Sequence, residues 1–300
     1  MIGAPPDRSS PIVARVRIDL HSHSDASDGT QPPADVVRRA RAAGVDVLAL
    51  TDHDTVAGVP AAAEALPGGL TLVLGSEISC ATVLHDQRVS VHLLGYLFDP
   101  SEPALAAEMA ALRRDRETRG RAIVDRLNEL GVATRWDEIA AIAGDAPVGR
   151  PHVARALVNA GVVADIESAF STDWIGFGGR AYVPKRSLDP AVAVSLIDVA
   201  GGVSVLAHPG ANKRGPPLDD ATIADLVAVG LGGIEVDHPD HDAATRVRLR
   251  ALAGELGLLV TGSSDDHGDL TGHRLGCEST AADTYDALVA AATGMSPIQG

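Results

Sequence analysis

Aromatic residues are scarce in this chain: three Phe, three Tyr and two Trp among 300 residues. A core short of large rings must be built from Ala, Val, Leu and Ile, which predicts Ala-rich helices covering strands of branched residues. Cysteine is scarcer still. Cys80 and Cys277 are too few for a disulfide framework, and neither stands in a CxxC or Cys/His metal spacing, so both are expected to be reduced thiols. No stretch approaches about 18 uninterrupted apolar residues, and Met1 to Ala14 carries Pro and Ser without an apolar signal core. A membrane span and an export signal are therefore not expected, and a cytoplasmic enzyme is. Basic residues are outnumbered, 25 Lys and Arg against 40 Asp and Glu, for a formal charge of −15. Neutralising a long polyanion takes clustered Lys and Arg, so stable nucleic-acid binding is not expected. A small anionic substrate would need a local positive centre, which metal ions can supply.

What is present is a strand and helix rhythm. Short apolar runs at Val16 to Leu20, Val45 to Leu50, Leu70 to Leu74, Val91 to Tyr96, Val203 to Leu206, Ile234 to Val236 and Leu258 to Thr261 read as seven buried strands. Helical patterns separate many of them, beginning at Pro32 and Pro33 and running through Ala34 to Ala43, with Gly44 placed as a C-cap. This is the βα unit of a parallel barrel or sheet. The rhythm stops near Pro100. Residues 101–180 carry helical patterns only (Glu102 to Leu130, Trp136 to Ala143, Pro151 to Ala160, Val163 to Phe170), which predicts a helical insertion over the barrel mouth. The expected division is an N-terminal extension at 1–15, barrel at 16–100, insertion at 101–180 and barrel again at 181–300.

Histidines and carboxylates gather just past the apolar runs, where a parallel barrel keeps its catalytic loops. His21 and His23 follow the first run at i and i+2, so both side chains can point the same way and grip one ion. Asp28 lies in the same loop. His53 follows the second run, flanked by Asp52 and Asp54, and Glu77 follows the third. His92, His208, His238, His241, Asp265, Asp266 and His267 repeat the pattern downstream. Mixed imidazole and carboxylate shells suit Zn, Mn or Fe better than Mg or Ca.

Taken in order, the HxH at His21 and His23, Asp28, the TDH ending in His53, Glu77, His92, the AHP at His208 and the SDxH at Asp265 and His267 resemble the PHP family. That family of metal-dependent phosphoesterases includes histidinol phosphatases, nucleotide phosphatases and polymerase-associated domains. The resemblance implies a distorted (β/α)7 barrel with three divalent ions. His21, His23, Glu77 and Asp265 would hold the first; Glu77, His92 and His208 the second; Asp28, His53 and His267 the third. Three such ions less three carboxylates leave about three positive charges, enough to bind a phosphate monoester and supply a bridging hydroxide for in-line attack. Glu77 and Asp265 are thus expected at the catalytic centre.

The Gly149 to His152 segment resembles a recurring element of the nucleotide-directed subgroup, and Arg150 is expected to clamp a phosphate with its planar fork. His238 and His241 are expected to touch the phosphate or protonate the leaving alkoxide. Lys185, Lys213 and Arg214 are further cations near strand ends, and Asp52, Asp54 and Asp266 are expected to orient metal-bound imidazoles. By resemblance the substrate is the 3′-phosphate of a nucleoside 3′,5′-bisphosphate. AMP, short RNA 5′ ends and histidinol phosphate are alternatives in the same fold. An amidohydrolase barrel or a non-catalytic metal-stabilised module are the more distant ones.

Overall fold

The computed structural model describes residues 16–144, 146, 148–211 and 216–300. Lys213, Arg214 and the extension expected at 1–15 lie outside the described residues. Seven strands follow one another around a nearly closed barrel: β1 (Ile18–Asp19), β2 (Val47–Leu50), β3 (Thr71–Leu84), β4 (Gln87–Tyr96), β5 (Val203–Leu206), β6 (Gly233–Asp237) and β7 (Leu259–Gly262). A parallel bridge between Ser22 and Asp266 brings the last strand's loop back to the first. Helices α1 (Pro33–Ala42) and α2 (Val59–Glu64) cover the first strands, and α7 (Pro190–Val199), α8 (Asp220–Ala228), α9 (Ala243–Leu256) and α10 (Ala282–Ala291) the later ones. Between them stand α3 (Pro103–Glu129), α4 (Trp136–Ala143), α5 (Arg150–Asn159) and α6 (Ile166–Ala169). Among the described residues no helix is long and apolar enough to cross a membrane.

Strands covered on both faces need apolar residues on both, which explains the unbroken runs. Alternate residues divide between two cores. Ile18, Val47, Ala49, Val73, Leu94 and Val205 fill the barrel together with Leu288 of α10. Leu48, Leu50, Leu72 and Ile234 face outward onto the helices, meeting Val37, Ile197 and Leu249. The helices after β4 carry a third core of their own, with Ile123, Leu127, Ile139, Val153 and Leu157 at its centre. Helix α3 joins both bodies, since Leu105, Met109 and Leu112 near its start pack in the barrel's outer core while Ile123 and Leu127 lie in the other.

The chain departs from a regular βα rhythm once. Strands β3 and β4 form a long antiparallel hairpin with no helix between them, and β4 is antiparallel to β5 as well. Its turn is His85 and Asp86, both at positive φ (48° and 63°), the conformation of a two-residue hairpin turn. Glycine or asparagine usually marks such a turn, so this one leaves little trace in the sequence. As a result Glu77 sits inside a 14-residue strand, not just past a strand of five, and His92 arrives from a strand running the other way. Smaller differences lie at the ends. The helix expected over Val163 to Phe170 shortens to Ile166–Ala169, because Asp165 caps it by accepting from the Ser168 amide at 2.8 Å. A short strand β8 (Ile298–Gln299), added to β3 at Thr71 and Leu72, and helix α10 are both additional to the expected elements.

Candidate metal centre

His21 and His23 leave β1 with their rings turned to one point at the carboxyl end of the barrel. Both are fully buried. His21 Nε2 and His23 Nε2 are 3.1 Å apart, and each lies 3.2 to 3.3 Å from Glu77 Oε2 and from Asp265 Oδ1. Five of the six separations among these four atoms thus lie between 3.1 and 3.3 Å, the spacing of donors around one tetrahedral ion with bonds of about 2.0 Å. Two ring nitrogens and two carboxylate oxygens packed so closely are what a divalent cation would hold together, and the donor set fits it.

Glu77 divides its two oxygens. Oε2 faces His21, His23 and also His53 Nδ1 at 3.2 Å, while Oε1 faces His92 Nδ1 at 2.6 Å and His208 Nε2 at 3.0 Å. A further group surrounds Asp28, with His267 Nε2 at 3.4 Å, His53 Nε2 at 3.7 Å and His23 Nδ1 at 3.9 Å. His23 Nδ1 is buried and makes no hydrogen bond. All nine residues expected as ligands therefore converge on one nest. The groups overlap more than the resemblance implies, since His23 faces both the first and the third, and His53 both Glu77 and Asp28.

Electrostatics bind this nest together. Burial alone would raise the carboxyl groups of Glu77, Asp28 and Asp265, yet the surrounding imidazoles hold all three well below the usual carboxylate range. Burial likewise pushes His21 and His23 down, and the carboxylates around them reverse it, leaving His21 well above an ordinary histidine and His23 at about 9. Each basic site therefore has an acid partner at hand. Two of the residues, His208 (φ 29°) and Asp265 (φ 48°), adopt left-handed backbone, which costs a non-glycine residue on the order of 1–3 kcal/mol and is tolerated where surroundings over-determine it. The His208 amide donates to Glu235 at 2.8 Å, and Arg274 Nη2 donates to the Asp265 carbonyl at 2.9 Å.

Glu235 was not singled out in the sequence, yet it is the carboxylate that touches an outer imidazole nitrogen. Its Oε1 lies 3.2 Å from His21 Nδ1, where it accepts that nitrogen's proton and would leave Nε2 to present its lone pair to a bound ion. The one available signal was an acid inside the buried run Ile234 to Val236. The three aspartates expected in that role do something else. Asp52 accepts from the Ser24 amide and hydroxyl and from Ser27, which shapes the loop carrying Asp28. Asp266 accepts from Gly268, Thr271 and Arg274, and so shapes the loop carrying His267. Asp54 accepts from Ser79 and from both Nε and Nη2 of Arg116 at 3.0 and 2.8 Å, tying α3 to the barrel.

The histidines expected to meet substrate are also corrected. His241 donates from Nδ1 to the Val236 carbonyl at 2.9 Å and accepts at Nε2 from the Gly210 amide at 3.0 Å. With both ring nitrogens committed to backbone, it has no proton to give a leaving group. His238 is fully buried behind Asp265; its Nδ1 accepts from the Asp240 amide, which leaves Nε2–H toward Asp265 Oδ2 at 3.4 Å. It braces a candidate ligand and stays away from the mouth. Arg150 lies over the Phe170 ring, 5.2 Å from its centroid, and donates from Nη1 to the Ile175 carbonyl at 3.4 Å, so part of its fork belongs to the helical body.

Cations gather at the rim. Lys185 Nζ approaches His92 Nε2 at 3.3 Å. Burial, then the guanidiniums of Arg116, Arg119 and Arg150, push the Lys185 amine down to about 7, with Asp54 opposing. Burial and the same kind of crowding by Arg150 and Arg116 take Arg119 down to about 9. In a chain of formal charge −15, this is the local positive field a small anion would meet.

The geometry agrees with the comparisons to known proteins. A PHP domain model matches residues 19–129. A 3′,5′-nucleoside bisphosphate phosphatase of Chromobacterium violaceum is 36% identical over 259 residues, covering 86% of this chain and 89% of that protein. A 5′-3′ exoribonuclease of Haemophilus influenzae is 35% identical over 252 residues, covering 84% and 90%. A solved structure from Bifidobacterium adolescentis, described as a metal-dependent phosphoesterase, superposes with a TM-score of 0.85 at 36% identity and covers 93% of this chain and 97% of its own. With this barrel, this nest of imidazoles and carboxylates and these relatives, the chain belongs to the PHP family and is a metal-dependent phosphoesterase.

Proposed function

We propose that this phosphoesterase removes the 3′-phosphate of nucleoside 3′,5′-bisphosphates in the cytoplasm, with three divalent ions of Mn, Zn or Fe type at its centre. His21, His23, Glu77 and Asp265 would hold the first ion, Glu77, His92 and His208 the second, and Asp28, His53 and His267 the third. The observation that carries this reading is the division of the Glu77 oxygens between two groups of imidazoles, one oxygen to each. When bound, such ions neutralise a phosphate monoester and make hydroxide available by lowering the pKa of water to about 7. Around that chemistry the chain's own groups set geometry and exclude solvent. Glu235 fixes the His21 tautomer, and the His267 Nδ1 hydrogen bond to the Asp265 carbonyl at 3.1 Å leaves Nε2 facing Asp28. Lys185 and the guanidiniums of Arg116, Arg119 and Arg150 draw the anion to the mouth.

The substrate class rests on the Chromobacterium violaceum relative, on a rim with cations for a second phosphate, and on a net charge that repels long polyanions. Metal-loaded protein is expected to convert adenosine 3′,5′-bisphosphate to AMP and phosphate, with loss of turnover in EDTA. Full turnover after stripping, with elemental analysis showing no metal, would overturn the mechanism. A second reading, trimming of short RNA from its 5′ end, is favoured by similarity to the Haemophilus influenzae exoribonuclease. A panel of the bisphosphate, AMP, histidinol phosphate and 5′-phosphorylated RNA separates the two.

A further inference from the structure

Phe177 is 70% exposed, whereas the other large apolar side chains that stand out among the described residues are valines and one methionine. A single exposed apolar residue needs no explanation. This one, however, is held in place by its loop. It sits in a turn closed by the Gly179 amide, which donates to the Gly176 carbonyl at 2.9 Å, and Gly178 follows it at φ 70°, where a side chain would be strained. Gly176 has no room for a side chain either, since a Cβ there would lie 2.0 Å from the Phe170 carbonyl oxygen. Further amides close the base of the loop, Gly176 donating to Ser171 at 3.0 Å and Ala181 to Trp174 at 2.9 Å. The glycines thus fix a loop whose exposed apolar side chain is an aromatic ring.

That ring meets a second one. Phe177 and Tyr182 stand edge to face, with centroids 5.4 Å apart and planes at 64°. Three arginines donate to carbonyls of the same segment: Arg150 Nη1 to Ile175 at 3.4 Å, Arg126 Nη1 to Tyr182, and Arg119 Nε to Val183 at 2.9 Å. The Tyr182 hydroxyl lies within electrostatic reach of Arg119. From Tyr182 the chain needs three residues, at most about 10 Å, to reach Lys185, whose Nζ is 3.3 Å from His92 Nε2. Two aromatic rings therefore stand beside the cations of the mouth, on a frame that two of those cations help to hold. A nucleotide has the matching form, with anionic phosphate at one end and a flat ring at the other.

We infer that Phe177, braced by Tyr182, stacks on the nucleobase of the substrate and recognises any base by its flat face. The inference rests on the nucleotide reading above for its substrate but not for its test. Stacking tolerates every base, and a base remote from the phosphate under attack is held equally in the ground and transition states. With metal-loaded protein, Phe177→Ala is expected to raise KM about tenfold for the 3′,5′-bisphosphates of adenosine and uridine alike, with kcat changed less than about twofold, and Phe177→Trp to retain the affinity. Calorimetry separates base from phosphate: Phe177→Ala should weaken AMP binding about tenfold and leave ribose 5-phosphate, which has no base, unchanged. Fluorescence gives a readout that a merely structural role would not move, because AMP should quench the emission of Phe177→Trp beyond any change in the parent protein. AMP affinity unchanged in Phe177→Ala, or an equal loss for ribose 5-phosphate, would overturn the inference. So would a change of oligomeric state in place of the affinity loss, which would mark Phe177 as a contact between copies of this chain. If AMP and ribose 5-phosphate behave as expected but no bisphosphate is hydrolysed, the substrate reading fails and the base platform stands.

Discussion

The inner nest and the outer rim of this site are built on opposite plans. The nest takes its nine ligand-type residues from the ends and inner faces of barrel strands, pairs every imidazole with a carboxylate, and is buried throughout apart from a thin edge at His267. The rim takes Arg116, Arg119, Arg150, His152 and Lys185 from α3, α5 and the segment before α7, and it carries cations with few acids among them. One plan suits binding of metal ions, the other binding of an anion, and the difference implies that chemistry and substrate choice can be altered separately. The link between them is the Asp54 and Arg116 ion pair, which fastens the helical body to the loop of His53.

The largest effect should come from the nest. Glu77→Ala removes the one carboxylate that serves two groups, and it is expected to eliminate turnover and to lower the metal content of purified protein by elemental analysis. A variant that keeps three metals per chain would break the division drawn here. Next comes the fastening. Arg116→Ala leaves Asp54 buried without its charge partner, a change that costs about 3–5 kcal/mol when one half of a buried pair is removed. Chemical denaturation should show that loss while the folded variant keeps its full metal content; metal loss at the same time would mean that nest and rim are one unit. The smallest expected effect is the most diagnostic of how the nest is aimed. Glu235→Gln keeps the shape but weakens the hold on His21 Nδ1–H, and metal affinity is expected to fall about 10–100-fold in a competition titration. Unchanged affinity would show that strand geometry alone orients His21.

The nest was legible because its parts are local. His21 and His23 share a strand end, Asp265 and His267 share another, and a ligand-type residue directly after an apolar run is visible without knowing the partner. Glu77 was found for the same reason and His92 as a histidine inside the run Val91 to Tyr96, although the hairpin that presents them was not expected from a turn of His85 and Asp86. The loop aspartates were misread because adjacency to a ligand says nothing about direction. Asp52 and Asp266 turn to serine, threonine and backbone donors in their own loops. His241 was misread likewise, its ring being consumed by two backbone groups that only the fold brings near.

By itself the sequence determined the barrel class, the presence of a helical block after the fourth strand and the set of residues able to bind metal. The βα rhythm and the ligand-type residues follow from hydrophobic period and residue type within a few positions, where side-chain direction is set by the strand or helix itself, while the choice of a (β/α)7 barrel over an open sheet came from the resemblance to the PHP family. Tertiary structure alone decided that Glu77 splits its oxygens, that Glu235 orients His21, and that Arg116 of α3 pairs with Asp54 beside His53. Those outcomes depend on which distant segments are packed together and on how each buried polar group finds a partner, and neither is written in local spacing.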